Sequence, residues 1–399
     1  MAVALEDPRA QTVILGYART PMGAMLGALK DVAAPQLGAV AITAALARAG
    51  VSGEHVDRVL MGCVLTAGLG QAPARQAALA AGLPDTVPAT TIGKVCGSGM
   101  EAMILGHSAI RSGLAGVVVA GGMESMSRAP YLLPEQRAGA RLGHKSVVDS
   151  MFHDGLEDAY DVGRLMGSFG DEIAAEYGFS RQEQDAFAVE SLRRAKEAQA
   201  EGRFEREITR VTVEGRSPTV VEHDEQPARS SAEKIPTLRP AFSPNGTVTA
   251  ANASSISDGA AALVLADLAH AERHGLKPIA RIAGVSCHAG KPSDFPKAPV
   301  PAIHNLLDRL GWSVGDVDLF EVNEAFAMVA MIAMRDLGIP HEKLNVNGGA
   351  CALGHPIGAS GARIVVTLLA ALEARGLKRG VASLCIGGGE ATAIAVELV

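Results

Sequence analysis

The chain contains no Cys-x-x-Cys pair, and its five cysteines (Cys63, Cys96, Cys287, Cys351 and Cys385) are odd in number and widely scattered. That pattern excludes a disulfide framework and gives no reason to expect a structural metal site. No apolar run reaches the ~18 residues of a membrane span; candidates such as Ile364 to Leu372 are core-sized. Acidic residues stand in the first ten positions, where a signal peptide needs a basic region and then an apolar one. A cytoplasmic protein without a membrane partner is expected. Positive charge is not in excess, with 36 Lys+Arg against 43 Asp+Glu and a formal charge of −7. The electrostatic footprint of a nucleic-acid binder is therefore missing. Charged residues are 20% of the chain, against ~25% in an average globular protein, which suggests surface buried between subunits. Glycine, in contrast, is abundant, at 45 of 399 residues, as tight turns and close backbone approaches require.

The chain is long enough for two or three domains at ~150 residues each, and an internal duplication organises them. Leu46-Ala-Arg48-Ala-Gly50-Val-Ser52, with Val56-Asp57, recurs as Leu307-Asp-Arg309-Leu-Gly311-Trp-Ser313, with Val317-Asp318. Each copy reads as a helix end, a glycine cap and a loop into a strand, Arg58 to Leu65 in one case and Leu319 to Val322 in the other. At nearly the same offset, a helix from Ser98 to near Gly113 followed by a strand at Val117 to Ala120 matches a helix from Ser360 to near Gly376 followed by a strand at Val381 to Cys385. Short apolar strands suit a sheet covered on both faces. Two similar α/β halves are expected. The first is residues 1–125, completed by 257–276, and the second is 277–399. Residues 126–256 are an insertion of different character, with scattered prolines and a polar helix from Arg181 to Glu201 opened by a Ser180/Glu183 capping box.

Among the cysteines, Cys96 is flanked by glycine where an expected strand, Thr90 to Val95, runs into a helix start. Free backbone N–H groups and the helix dipole there favour a thiolate; the alternative is a buried structural cysteine. Cys385 ends a buried-strand pattern and precedes Gly387-Gly388-Gly389, whose N–H groups could hold an oxyanion; the alternative is a core cysteine. Cys63 reads as core, Cys287 as loop and Cys351 as packing. His355 sits in an extended, proline-followed stretch. The duplication places it close to the position equivalent to Cys96, so the two form a candidate nucleophile–base pair, against a turn histidine with a structural hydrogen bond. Asn323 at a strand end is a candidate ligand for a carbonyl oxygen or a water, a cap for a helix from Glu324 to Arg335, or both.

Taken together, Val95-Cys96-Gly-Ser-Gly-Met, Asn323-Glu-Ala-Phe-Ala, Gly348-Gly-Ala through Gly354-His-Pro-Ile-Gly-Ala-Ser-Gly-Ala-Arg363, and Cys385-Ile-Gly-Gly-Gly resemble the thiolase family, in its acetyl-CoA acetyltransferase branch. The resemblance spans nearly the whole chain, including Arg239-Pro-Ala-Phe and Gly246-Thr-Val-Thr-Ala through Asn252-Ala-Ser in the insertion. It implies two βαβαβαββ halves in a layered α/β/α/β/α arrangement, an inserted loop domain that binds coenzyme A, and a homotetramer or homodimer. The implied activity is condensation of two acetyl-CoA to acetoacetyl-CoA and its reversal, through an acyl-cysteine. No cofactor or metal is implied; coenzyme A thioesters are the substrates.

The resemblance makes Cys96 the nucleophile, His355 its activator and part of an oxyanion hole, and Asn323 the holder of that hole's water. Cys385 becomes the second acid/base, and the N–H groups of Cys96 and Gly387 another oxyanion hole. Ser254, Phe326, Arg229 and Ala250 match positions near coenzyme A, and Leu165, Met166 and Phe295 match positions near the acyl group. The insertion holds 16 Lys+Arg against 21 Asp+Glu, so composition shows no phosphate-binding patch. Departures from the family pattern are Gly93 for an Asn, Ala391 for a Gly, Leu165-Met166-Gly167 for His-Met-Gly, and Phe295 to Pro299 for a Met-Gly-x-Gly-Pro loop. The last two bear on acyl chain length. Alternatives are a broader 3-ketoacyl-CoA thiolase of fatty-acid degradation and a non-catalytic acyl-CoA-binding protein. A condensing synthase of the same fold lacks a cysteine at the position of Cys385.

Overall fold

The computed structural model describes residues 11–399. Two halves share one continuous sheet. In the first half, Thr12–Arg19 pairs antiparallel with Ser257–Asp267, which pairs antiparallel with Val117–Ser125; Arg58–Gly62 and Ala89–Ile92 then continue in parallel. In the second half, Ala280–Ala289 pairs antiparallel with Glu390–Leu398, which pairs antiparallel with Arg379–Ile386; Leu319–Val322 continues in parallel, and a parallel bridge from Phe320 to Leu344 stands where a fifth strand would lie. The halves join where Thr12–Arg19 meets Ala280–Ala289. The duplication is thus exact at the level of register. Arg58 faces Val118 in one half, and Leu319 faces Gly380 in the other. Gly50 and Gly311 both cap their helices in the left-handed region, at φ 64° and 63°.

Three hydrophobic clusters produce the layering. One packs the helices Ser98–Arg111 and Ile357–Arg375 between the halves. A second covers the outer face of the first half with Ala34–Ala49 and Pro73–Ala80. A third covers the outer face of the second half with Pro299–Leu310 and Ala327–Leu337. The result is the expected α/β/α/β/α arrangement. Ile357–Arg375 is long and apolar enough to cross a membrane by composition, yet 89% of its apolar window is buried inside the protein. Its apolar surface goes to the central layer.

Several expected boundaries shift. The strand expected to run from Thr90 to Val95 ends at Ile92, because Val95 adopts a left-handed φ of 44°. The strand from Arg58 ends at Gly62. Asn323 caps no helix: the helix starts at Ala327, with Phe326 as its cap. Cys287 lies within the strand Ala280–Ala289, exposed, and not in a loop. The Ser180/Glu183 capping box forms as expected, with Ser180 N–H donating to Glu183 Oε2 at 2.7 Å and Glu183 N–H to Ser180 Oγ at 3.2 Å.

Residues 126–256 leave the sheet after Ser125 and return at Ser257; in the second half the same connection is the turn Gly387–Gly389. They carry the helices Met166–Tyr177 and Arg181–Ala200 and two small two-stranded sheets. A fully buried ion triad ties them to the first strand. Arg19 donates to Glu207 at 2.6 Å and forms a two-pronged pair with Asp224 at 2.7 and 2.8 Å. Burying such charges contributes little net stability, but removing one partner costs about 3–5 kcal/mol, so the triad fixes position.

The central helices approach each other through glycine. A Cβ on Gly361 would lie 2.4 Å from the Met100 nitrogen, and one on Gly99 would lie 2.9 Å from the Ala362 nitrogen. Real Cβ atoms do not come so close to backbone. Gly361→Ala is therefore expected to destabilise the protein by about 1–3 kcal/mol, despite the ~1 kcal/mol that helix propensity favours. Gly215→Ala, with open space around the new methyl, should change stability by less than ~0.5 kcal/mol. Urea unfolding of both variants checks this; equal stabilities would refute the packing argument.

Candidate active site

The two central helices start side by side, and the chemistry-bearing residues lie at those starts. Cys96 sits two residues before the helix Ser98–Arg111, and His355 two residues before Ile357–Arg375. The left-handed turn at Val95 is held by Ser98, whose hydroxyl donates to the Val95 carbonyl at 2.7 Å and accepts from the Lys94 N–H at 2.8 Å. Sparsely populated backbone of this kind persists where surrounding contacts over-determine it. A small inner cavity of about 60 Å³ is lined by Cys96, His355, Cys385, Gly387, Phe295 and Ser254, among others. It opens beside a larger cavity of about 540 Å³. Leu165, Ala250 and Arg229 line only the larger one, while Met166, Ser254 and Phe326 line both. Asn323 lines neither. It is buried behind the site, with Arg363 Nη2 donating to its Oδ1 at 3.5 Å.

Burial dominates the electrostatics. The Cys96 thiol is pushed up to about 11 by desolvation, which outweighs the backbone N–H groups of Gly387 and Cys96 that pull it down. The thiolate expected from the helix start is therefore not the resting form. Cys385 is raised well above the usual thiol value by burial and then by the nearby Cys96 charge. His355 is lowered to about 3, first by desolvation and then by the Arg363 cation. At neutral pH the site is a neutral thiol facing a neutral imidazole.

Ser360, buried on the same helix, controls which imidazole nitrogen carries the proton. Its Oγ lies 2.5 Å from His355 Nδ1 and 2.9 Å from the Pro356 carbonyl. With its hydroxyl turned to Pro356, Ser360 accepts from Nδ1–H, and Nε2 presents a lone pair. With the hydroxyl turned to His355, Nε2 carries the proton. The ring can thus serve as base or as donor. Among the described residues, His355 Nε2 and Asn323 Nδ2 are buried atoms with no hydrogen-bond partner, which leaves both free for a substrate oxygen or a water.

Ser360 was not singled out in the sequence, although it lies inside a quoted motif. Glu124 was also missed. Its carboxylate is buried behind the site and pushed up to about 7 by desolvation. It accepts from the N–H groups of Val64 at 3.0 Å, Leu65 at 3.2 Å and Gly358 at 2.9 Å, tying the end of Arg58–Gly62 to the His355 helix. A single Glu at a strand end carries no sequence signal of that role. Phe242, which meets Phe326 edge-on at a ring separation of 6.1 Å, adds to the wall of the larger cavity. Among the described residues, Arg229 is the one charged residue lining that cavity, and it is paired with Glu225 at 2.8 Å.

Residues 12–269 match the family model of the thiolase N-terminal domain, and residues 276–398 that of the thiolase C-terminal domain. The chain is similar to a probable acetyl-CoA acetyltransferase of Dictyostelium discoideum, at 49% identity over 96% of this chain and 93% of that one. It is 50% identical to an acetyl-CoA acetyltransferase of Cupriavidus necator, over 96% of this chain and 98% of that one. Among solved structures, a Bacillus anthracis acetyl-CoA acetyltransferase superposes with a TM-score of 0.95 at 41% identity, covering 98% of this chain and 99% of that one. A thiolase from Ascaris suum in complex with coenzyme A superposes with a TM-score of 0.93 at 41% identity, covering 98% and 100%.

The depressed His355 makes a pH prediction. Between its ordinary 6.5 and its folded value of about 3, the unfolded chain takes up a proton that the folded chain declines. The stability from this group is present above pH 6.5 and lost as pH falls toward 3. At pH 4.5 the loss is roughly 2–3 kcal/mol. His355→Gln lacks it, so on going from pH 7 to pH 4.5 the wild type should lose more urea stability than the variant by that amount. Equal losses would mean that the imidazole is not held neutral.

Proposed function

The chain belongs to the thiolase family, and from that membership we propose that it is an acetyl-CoA C-acetyltransferase. It condenses two acetyl-CoA to acetoacetyl-CoA and coenzyme A, and catalyses the reverse thiolysis. The observation that carries the reading is the convergence of Cys96, His355, Cys385 and Gly387 on one small cavity at paired helix starts. The full-length similarity to acetyl-CoA acetyltransferases supports it.

In the proposed course, His355 Nε2 takes the Cys96 proton as sulfur attacks the thioester carbonyl. The coenzyme A thiolate leaves and recovers that proton, and Cys96 is acetylated. Cys385 next gives its proton to His355, which lines the same inner cavity. Cys385 thiolate then takes a proton from the methyl group of a second acetyl-CoA. The enolate oxygen is held by His355 Nε2–H and, through a water, by Asn323. The carbanion attacks acetyl-Cys96, whose oxyanion meets the N–H groups of Cys96 and Gly387. Collapse frees acetoacetyl-CoA, and His355 returns its proton to Cys96, which leaves both thiols and the imidazole uncharged as at the start. Thiol and thiolate balance at each step, so the reaction needs no metal or cofactor.

Residues 126–256 are proposed to hold coenzyme A in the larger cavity, with Ser254, Ala250, Phe326 and Arg229 along it. Leu165, Met166 and Phe295 would bound the acyl group. A homotetramer or homodimer in the cytoplasm, with a place in fatty-acid metabolism, fits the same reading. A small inner cavity walled by Phe295, Phe326 and Met166 favours a short acyl chain over a broad 3-ketoacyl-CoA range. A panel of ketoacyl-CoA lengths tests that preference.

Cys96→Ala should abolish acyl-enzyme formation. Mass spectrometry after mixing with acetyl-CoA should find an acetyl adduct on the wild type and none on the variant; an adduct on Cys96→Ala would overturn the assignment. Cys385→Ala should still be acetylated and still exchange acetyl between coenzyme A molecules, while condensation and thiolysis fall by ~10²–10⁴-fold. Equal loss of exchange and condensation in the folded variant would show that Cys385 is not specific to the carbon–carbon step.

A further inference from the structure

The loop that carries Cys96 and the turn that follows Cys385 come from opposite halves, and both have unusual backbone. Val95 is left-handed at φ 44°, and Gly388 and Gly389 are at 97° and 89°. They touch directly. A Cβ on Gly97 would lie 2.3 Å from Ile386 Cδ1, and one on Gly387 would lie 3.6 Å from Val95 Cγ1. Across this contact the hydrogen bond from Gly387 N–H to Cys96 must form. One charged pair spans the junction: Lys94, two residues before Cys96, donates to Glu390, the first residue after the glycine turn. Glu101 lies close enough to add a second negative charge beside the ammonium.

Gly93 gives the loop no packing restraint, since a Cβ there would meet nothing within 4 Å. Glu390 lies just beyond the Cys385-Ile-Gly-Gly-Gly motif.

We propose that Lys94 and Glu390 are positioning residues: their ion pair clamps the nucleophile loop to the Cys385 turn and sets the distance between Cys96 Sγ and the Gly387 N–H. Neither residue lines the inner or the larger cavity. The proposal rests on the reading of Cys96 as the acyl acceptor. A partly exposed pair adds little to global stability, whereas a misplacement of about 1 Å at a reacting centre costs on the order of 10²-fold in rate. The effect of breaking it should therefore appear in rate, with the fold intact.

The test uses the full chain with Lys94→Met, Glu390→Gln and the reversed pair Lys94→Glu/Glu390→Lys, the reversed pair combined with Glu101→Gln so that no second carboxylate repels the one introduced at 94. Each single variant should keep the wild-type urea midpoint and acetylate Cys96 roughly ten- to a hundredfold more slowly. KM for acetyl-CoA should stay within about twofold, because only positioning and not ground-state binding is lost. The reversed pair should recover most of the rate, which a role in packing alone would not give. Alkylation of Cys96 by iodoacetamide, located by peptide mass mapping, reads the same loop geometry without acyl transfer. A wild type that takes no acetyl group would refute the proposed function. Single variants with wild-type acetylation and alkylation rates, or a reversed pair no faster than the singles, would refute the clamp.

Discussion

The site depends on one steric constraint, the contact of two helix N-termini across the central layer. Gly62, Gly99, Gly122, Gly358 and Gly361 meet there, and a Cβ on Gly122 would lie 2.1 Å from the Gly358 carbonyl. Only glycine permits backbones to pack at that distance. Cys96 and His355 are brought together because each precedes one of these helices by two residues. Glu124 serves the same contact from behind, with its carboxylate accepting N–H groups from both halves. Wider spacing would separate the thiol from the imidazole without changing either residue.

Placing the helices this closely has an electrostatic consequence. The residues around the inner cavity are withdrawn from bulk solvent, and desolvation is the largest influence on Cys96, Cys385 and His355 alike. Both thiols and the imidazole rest uncharged. Charge then develops only when a substrate supplies a carbonyl for it to act on. In a low-dielectric site, fixed N–H donors at Gly387 and Cys96 are worth far more than in water. The helix start aims the thiol and offers N–H groups; it does not ionise the sulfur in advance.

The insertion solves a different problem. A turn of three glycines, residues 387–389, suffices in the second half, whereas the first half uses the same connection to build a wall for the larger cavity. That wall needs a fixed position relative to the sheet. The Arg19, Glu207 and Asp224 triad supplies it through directional bonds, and Thr367 on the central helix also bonds Glu207 at 3.2 Å. The cavity wall and the catalytic helix are thus referenced to the same buried carboxylate.

By itself the sequence determined the duplication and the helix starts at which Cys96 and His355 sit, while the layering was implied by the resemblance to the thiolase family. These are local matters: apolar periodicity, glycine caps at Gly50 and Gly311, and a motif order that survives reading along one dimension. The Ser180/Glu183 capping box was equally legible, because its partners are three residues apart. Tertiary structure decided what depends on residues distant in the chain. The strand before Val95 ends early, at Ile92, where a left-handed turn held by Ser98 follows. Asn323 is withdrawn from the cavity surface and bonded to Arg363. Glu124 and Ser360 matter through partners that periodicity cannot reveal. Above all, the protonation states came from burial. A helix dipole can be read from a helix start, but desolvation depends on everything packed around it, and here it is the larger influence on Cys96.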